Sequence, residues 1–393
     1  MFARRAGWDL APSPLAARVE ERKKQGLALL DLAATNPTQV GLAGPGGALA
    51  EALAALARDP AARTYEPDPR GAALAREAIA AFHTGVSPEH VVLSAGTSEG
   101  YAHLFRLLAD PGERVHVPSP GYPLFEHLAA LEGVAAVPYP LLPPAREARW
   151  RIDCDALAAS LTAQSRAVLV IHPHNPTGSF VDPADLARLR ALGRERGLAL
   201  ISDEVFTGSG SDASPPSARV GAEAGPLHFV LSGASKLLAL PQLKLAWIVV
   251  AGPPAARDEA LARLEFVADA YLSVSPLLAR LLPDLLARRD ELVAPLLARV
   301  AANRARLAAP DPAGPVSALP AEAGWAAILR VRAPLDAEAL ALGLLDRAGV
   351  LVQPGFLFDL GDEDGSAQLV VSLLPEPADF ARGLDALVAF VSA

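Results

Sequence analysis

Between His90 and Val250 the chain repeats one unit: a short β-branched run, a turn, then a longer segment with helical spacing. This alternation constrains the fold more than any other feature. Consecutive strands that run the same way need a long crossover, and a helix is the usual one. The strand candidates are His90–Ser94, Arg114–Val117, Val134–Val137, Ala167–Ile171, Leu198–Ser202, His228–Leu231 and Leu245–Val250. Helix candidates among them are Ser98–Leu108, Leu124–Leu131, Pro183–Arg196 and Pro254–Ala268. The pattern predicts an α/β fold with a mostly parallel sheet covered by helices. After about residue 275 it changes to long Leu/Ala/Arg helices through 308. A strand (Ala326–Val331), a helix (Asp336–Ala348), a strand (Leu369–Leu373) and a helix (Ala378–Val391) follow. This tail reads as a smaller α+β domain, with a helix around Pro14–Gln25 packed on it. The expected division is a large domain over 40–275 and a small one built from 1–39 and 276–393.

Several function classes drop out on composition. A net charge of −9 without a basic block argues against a nucleic-acid binder, which needs a positive field to displace counterions. The single Cys154 permits neither an intramolecular disulfide framework nor a Cys-rich zinc site. No apolar run reaches the ~18 residues of a membrane span; the best, 237–251, is broken by Pro241, Gln242 and Lys244. Charges at Met1–Asp9 have no apolar stretch behind them, so no secretory signal is visible. The expectation is a cytoplasmic enzyme without a metal.

In an open α/β sheet, ligands bind beyond the carboxyl ends of the strands. Four chemically suggestive stretches fall there: Ser94-Ala95-Gly96-Thr97-Ser98, His172-Pro173-His174-Asn175-Pro176-Thr177-Gly178, Ser202-Asp203-Glu204-Val205-Phe206 and Ser232-Gly233-Ala234-Ser235-Lys236. Singly, each is ordinary: an N-cap, a turn, a loop carboxylate, an exposed lysine. Lysine usage adds weight to the last. The chain holds 31 Arg and four Lys; Lys23 and Lys24 share a charged run, whereas Lys236 and Lys244 lie in an otherwise apolar stretch. Lysine, unlike arginine, can ionise to a neutral amine.

The order and spacing of the four stretches, with Asp31–Pro37, Tyr65–Gly71, Pro120–Pro123 and Gln353–Gly355, resemble the class I/II aminotransferases. These are fold-type-I enzymes that use pyridoxal 5′-phosphate. The resemblance implies that Lys236 holds the cofactor as a Schiff base and shuttles the proton, and that Asp203 pairs with the ring nitrogen. It implies that Asn175 donates to the ring oxygen, while Tyr122 stacks on one ring face and Val205 on the other. The phosphate would sit at Gly96, Thr97 and Ser98, where a helix N-terminus favours a dianion, closed by Ser235 and Lys244. Tyr65 would reach the phosphate of the neighbouring subunit in a homodimer. The implied partners are a small-molecule amino donor and a 2-oxo acid acceptor.

Three positions depart from the family pattern. Lys244 stands where Arg is usual, losing a two-pronged phosphate contact. Phe206 stands where a Tyr usually bonds the ring oxygen, so the Schiff base is expected to hold its proton to higher pH. Val370 stands where an Arg usually clamps the substrate carboxylate, and no Arg or Lys occurs from Ala348 to Ala381. Asn36, Asn175, Arg330 and Arg332 are the candidate substitutes. His172 and His174 are expected to line the cofactor pocket, Thr207–Pro216 to form a surface loop, and the acidic run Asp359–Gly365 to be a solvated turn. A lyase or decarboxylase on the same fold is the alternative reading, and a non-catalytic pyridoxal-phosphate-binding protein the third.

Overall fold

The computed structural model describes residues 2–42, 47–144, 149–209, 217–219, 222–308, 314–362 and 365–392. Its central sheet has eight strands in the spatial order Val91–Ser94, Ala246–Ala251, His228–Gly233, Ala199–Asp203, Ser165–Ile171, Arg114–Ser119, Ala135–Leu142 and Arg151–Ile152. The five from His228–Gly233 to Ala135–Leu142 are parallel. Ala246–Ala251 lies antiparallel between Val91–Ser94 and His228–Gly233, so those two neighbours point the same way. The expected mostly parallel sheet is therefore present. Its central strands read as continuous apolar runs because both faces are covered: all five residues of Ala199–Asp203 are buried.

On one face, Leu104 and Phe105 of the Thr97–Leu108 helix join Leu261 and Leu264 of the Pro254–Asp269 helix in a core with Ile201, Phe229 and Ile248. The first of these helices sits hard against the sheet at Gly100, where a Cβ would lie 2.6 Å from Leu231 Cδ2.

One strand reading is corrected. The strand placed at Val134–Val137 runs from Ala135 to Leu142, through Pro138 and Pro140. Its outer neighbour pairs only with Leu141 and Leu142, leaving an open edge beside the two prolines, where a missing N–H costs no ladder bond. Helices Ala48–Arg58 and Ala73–Phe82, both amphipathic and both packed on Pro276–Ala287, were not among the helix candidates.

The second sheet is antiparallel, in the order Val316–Ala318, Ala326–Arg332, Ser366–Ser372, Gln353–Pro354. Leu30–Asp31 pairs in parallel with Val350–Leu351, and the Ser372 amide donates to the Leu32 carbonyl at 2.7 Å. The Pro14–Lys24 helix packs on Ala337–Ala348, with Arg22 donating to the Leu345 carbonyl. The two sheets meet at Gly178, whose carbonyl accepts from Glu322 and Ala323 amides. With φ +69° and the Ala323 oxygen 2.5 Å from any Cβ, that position suits only glycine. Among the described residues, no helix is long and apolar enough to cross a membrane.

Candidate active site

A cavity of about 280 Å³ opens beyond the carboxyl ends of the parallel strands. Tyr122, Asn175, Asp203 and Val205 reach it from the ends of three of those strands, and Ser235 and Lys236 from the short Ala234–Leu237 helix that follows a fourth. Thr97 and Ser98 enter at the start of their helix. The eight are thus brought together as the sequence suggested.

Gly96 and Lys244 complete one end of the cavity without lining it. Gly96 caps the Thr97–Leu108 helix, and no side chain satisfies the amides there. The Lys244 Nζ lies 3.3 Å from where a Gly96 Cβ would be. The sheet explains the encounter: Ser94 and Gly233 both pair with Ala246. The residues just beyond Ser94 and just before Ala246 therefore emerge at one edge. Among the described residues no acidic side chain pairs with Lys244, which adopts a left-handed backbone, φ 48°.

At the cavity's other end, Asp203 is buried and held at both oxygens. Tyr101 donates to Oδ2 at 2.6 Å, and the Val205 amide to Oδ1 at 3.1 Å. Burial raises the Asp203 pKa; the Tyr101 hydrogen bond, the Val205 amide and Lys236 oppose that shift. Burial also lowers the Lys236 ammonium, against the pull of Asp203, which favours the neutral, nucleophilic amine. The Lys236 Nζ lies 5.2 Å from the Trp325 ring centroid and 5.8 Å from that of Phe206, two rings packed edge to face.

Other expected residues lie elsewhere. Tyr65 is 69% exposed and borders a separate small cavity with Leu272 and Ser273. His172 and His174 do not line the main cavity. They are buried behind it, where His172 Nδ1 accepts from the Val181 amide and His174 Nδ1 bonds Thr177 Oγ1. Burial pushes His174 down to about 3. Of the four substitutes for the carboxylate-binding Arg, Asn175 alone lines the cavity; Asn36 caps Thr38, and Arg330 and Arg332 belong to the second sheet. Val370 sits in an apolar cluster with Trp150, Ile328, Phe358 and Leu360. Ser209, read as surface loop, is buried, with its Oγ accepting from the Gly324 amide; 210–216 lie outside the described residues. Asp359, Gly361, Asp362 and Gly365 are exposed, in keeping with a solvated turn, although desolvation raises the Asp359 carboxyl; 363–364 lie outside the described residues. No cluster of His, Cys, Asp and Glu among the described residues could hold a metal.

The sequence reading missed Tyr101, Trp325, Phe358, Ser372 and Thr35, all of which line the cavity. Only Tyr101 carried a usable signal: it is four residues after Thr97, on the same face of the helix.

These residues fit pyridoxal phosphate. Uncapped helix amides and an ammonium group at one end suit its dianion, a buried carboxylate at the other suits a protonated ring nitrogen, and a depressed lysine suits its aldehyde. The comparisons with known proteins agree. The family model described as aminotransferase class I and II matches residues 29–379. Capreomycidine synthase of Streptomyces vinaceus is 34% identical over 292 residues, 73% of this chain and 72% of that protein. The glutamate-pyruvate aminotransferase AlaA of Haemophilus influenzae is 28% identical, over 61% of this chain and 58% of its own length. The S-alkyl-thiohydroximate lyase SUR1 of Arabidopsis thaliana is 31% identical, over 43% of this chain and 36% of its own length. In fold, the chain is similar over its full length to an alanine aminotransferase from Pyrococcus furiosus, with a TM-score of 0.87 at 21% identity and full coverage of both chains. The chain belongs to the class I and II aminotransferases, pyridoxal-phosphate-dependent enzymes of the transaminase type.

Proposed function

We propose that Lys236 is the residue to which the cofactor is attached, in an enzyme that moves an amino group from an amino acid or amine to a 2-oxo acid. The observation that carries this is the convergence of Lys236, Asp203, Asn175 and the Thr97 helix terminus on one cavity. When bound, pyridoxal phosphate supplies an aldehyde for the donor's amine and a ring that draws electrons from the carbon bearing that amine.

The chain's residues do the rest. Lys236 Nζ would be held near that carbon and would carry its proton. Asp203 keeps the proton on the ring nitrogen, and Asn175 donates to the ring oxygen. Tyr122 and Val205 hold the ring between them. Thr97, Ser98, Gly96, Ser235 and Lys244 hold the phosphate, and Tyr65 reaches the corresponding site of a partner subunit in a homodimer. The large domain spans 40–275, and 1–39 with 276–393 form the small one. The enzyme works in the cytoplasm.

Substrate choice follows from the wall around Lys236. Phe206, Trp325, Phe358 and Val371 face the cavity there, and among the described residues no Arg lines it. This favours donors with an apolar or aromatic group, whose carboxylate, if present, is held by neutral donors such as Asn175. The name of one relative, a lyase, favours a second reading in which the same machinery serves a lyase reaction.

Mixing the purified pyridoxal form with a panel of amino acids, amines and diamines separates the two. A transaminase converts the cofactor's absorbance to that of its amino form, and a 2-oxo acid restores it. Product release without that conversion establishes the lyase reading. Lys236→Ala abolishes the Schiff-base absorbance; its persistence would remove Lys236 from the mechanism.

A further inference from the structure

We propose that Tyr101 is a positioning residue: its hydroxyl orients the Asp203 carboxylate toward the ring nitrogen, so that one helix fixes both ends of the cofactor. The inference rests on the assignment of Asp203 above and extends it to a residue outside the motifs that marked the site.

The geometry is specific. Tyr101 is 2% exposed, and its hydroxyl lies 2.6 Å from Asp203 Oδ2, a charge-assisted hydrogen bond at the short end of the range. The terminal torsion of an aspartate is soft, so a carboxylate anchored at one oxygen can still swing. Here the Val205 amide engages Oδ1 and Tyr101 engages Oδ2, which removes that freedom. Each oxygen keeps a lone pair for a further donor. The Tyr101 ring is itself fixed, edge-on to Phe125 at 5.3 Å and tilted against Phe105 at 6.0 Å.

Tyr139 shows what a merely structural buried tyrosine looks like in this protein: its hydroxyl donates to the Leu169 carbonyl, and its ring packs away from the main cavity. Tyr101 lines that cavity and spends its hydroxyl on a carboxylate. Burial and Asp203 together raise the Tyr101 phenol well above its usual range, so it remains a donor. One helical turn before it, Thr97 stands at the helix terminus assigned to the phosphate. Both anchors therefore belong to one rigid element, pressed on the sheet at Gly100.

The test compares two ligands for the apoprotein: pyridoxal phosphate and its 1-deaza analogue, in which a carbon replaces the ring nitrogen. Binding is read by quenching of tryptophan fluorescence. The wild type prefers the natural cofactor. Tyr101→Phe retains the ring, and it lowers affinity for the natural cofactor by about tenfold or more while leaving the analogue's affinity unchanged. An equal loss for both ligands would reduce Tyr101 to a packing role and overturn the proposal; so would an undiminished preference in the variant. A wild type that binds both ligands equally would overturn the assignment of Asp203 and the proposal with it. Should Tyr101→Phe fail to fold, Tyr101→Leu removes the same hydroxyl and is read by the same outcomes.

Discussion

Lys244 illustrates how much a single residue carries. Its positive φ is uncommon for a residue with a side chain, and such conformations persist where the surroundings enforce them. Here the register of three strands does so, placing the ammonium beside Gly96. Removing it in Lys244→Ala is expected to weaken pyridoxal phosphate binding about tenfold or more, measured by equilibrium titration of the apoprotein. At Phe206 the expected effect is spectroscopic. Phe206→Tyr adds a donor at a ring that packs on Trp325 beside Lys236, and should shift the pH at which the holoenzyme's absorbance changes to a lower value. An unchanged titration would show that the hydroxyl does not reach the ring oxygen. That Lys236, Asp203 and Asn175 would meet in one cavity was legible in the sequence, because all three stand at or just beyond the ends of strands of the parallel sheet. Tyr101 was harder to read: its place one helical turn after Thr97 was the single signal, and an aromatic residue on a helix otherwise looks like core. Its role depends on a carboxylate 102 positions away.

At the level of elements, the strands of the central sheet were readable because full burial makes them dense in β-branched residues. The antiparallel placement of Ala246–Ala251 was not, because nothing in an apolar run records its direction. Nor did the sequence reveal the junction at Gly178, where a turn of the large sheet meets the segment before Ala326–Arg332. Glu322 reinforces it by accepting from Arg149 at 2.8 Å and from the Phe180 amide at 3.0 Å. Gly178→Ala would force a side chain into the left-handed region against the Ala323 carbonyl. A loss of about 1–3 kcal/mol in denaturant-induced unfolding is expected. Stability within 0.5 kcal/mol or so of wild type would mean that the junction yields easily.

Across the whole molecule, buried histidines set the response to acid. Burial lowers His83 to about 4, and His174 and His228 to about 3. In the unfolded chain these rings titrate near ~6.5. Unfolded protein therefore binds more protons below that pH, and the stability that these groups contribute is full above it and lost as pH falls toward 4 and 3. Glu204, raised by burial to about 7, acts the opposite way: its contribution is full below the unfolded ~4.5 and lost as pH rises through 7. Three groups outweigh one, so the apoprotein should melt lower at pH 5 than at pH 7. An equal or higher melting temperature at pH 5 would refute the balance.

The hydrogen bond from Ser372 to Leu32 bears on how the enzyme matures. Thr35 and Ser372, separated by most of the chain, face the same cavity, and the segment carrying the first is tied down by the strand carrying the second. During translation Lys236, the proposed attachment residue, emerges long before that strand exists. A nascent chain thus presents that amine in a half-built chamber, which is completed only once the Ser366–Ser372 strand has been made.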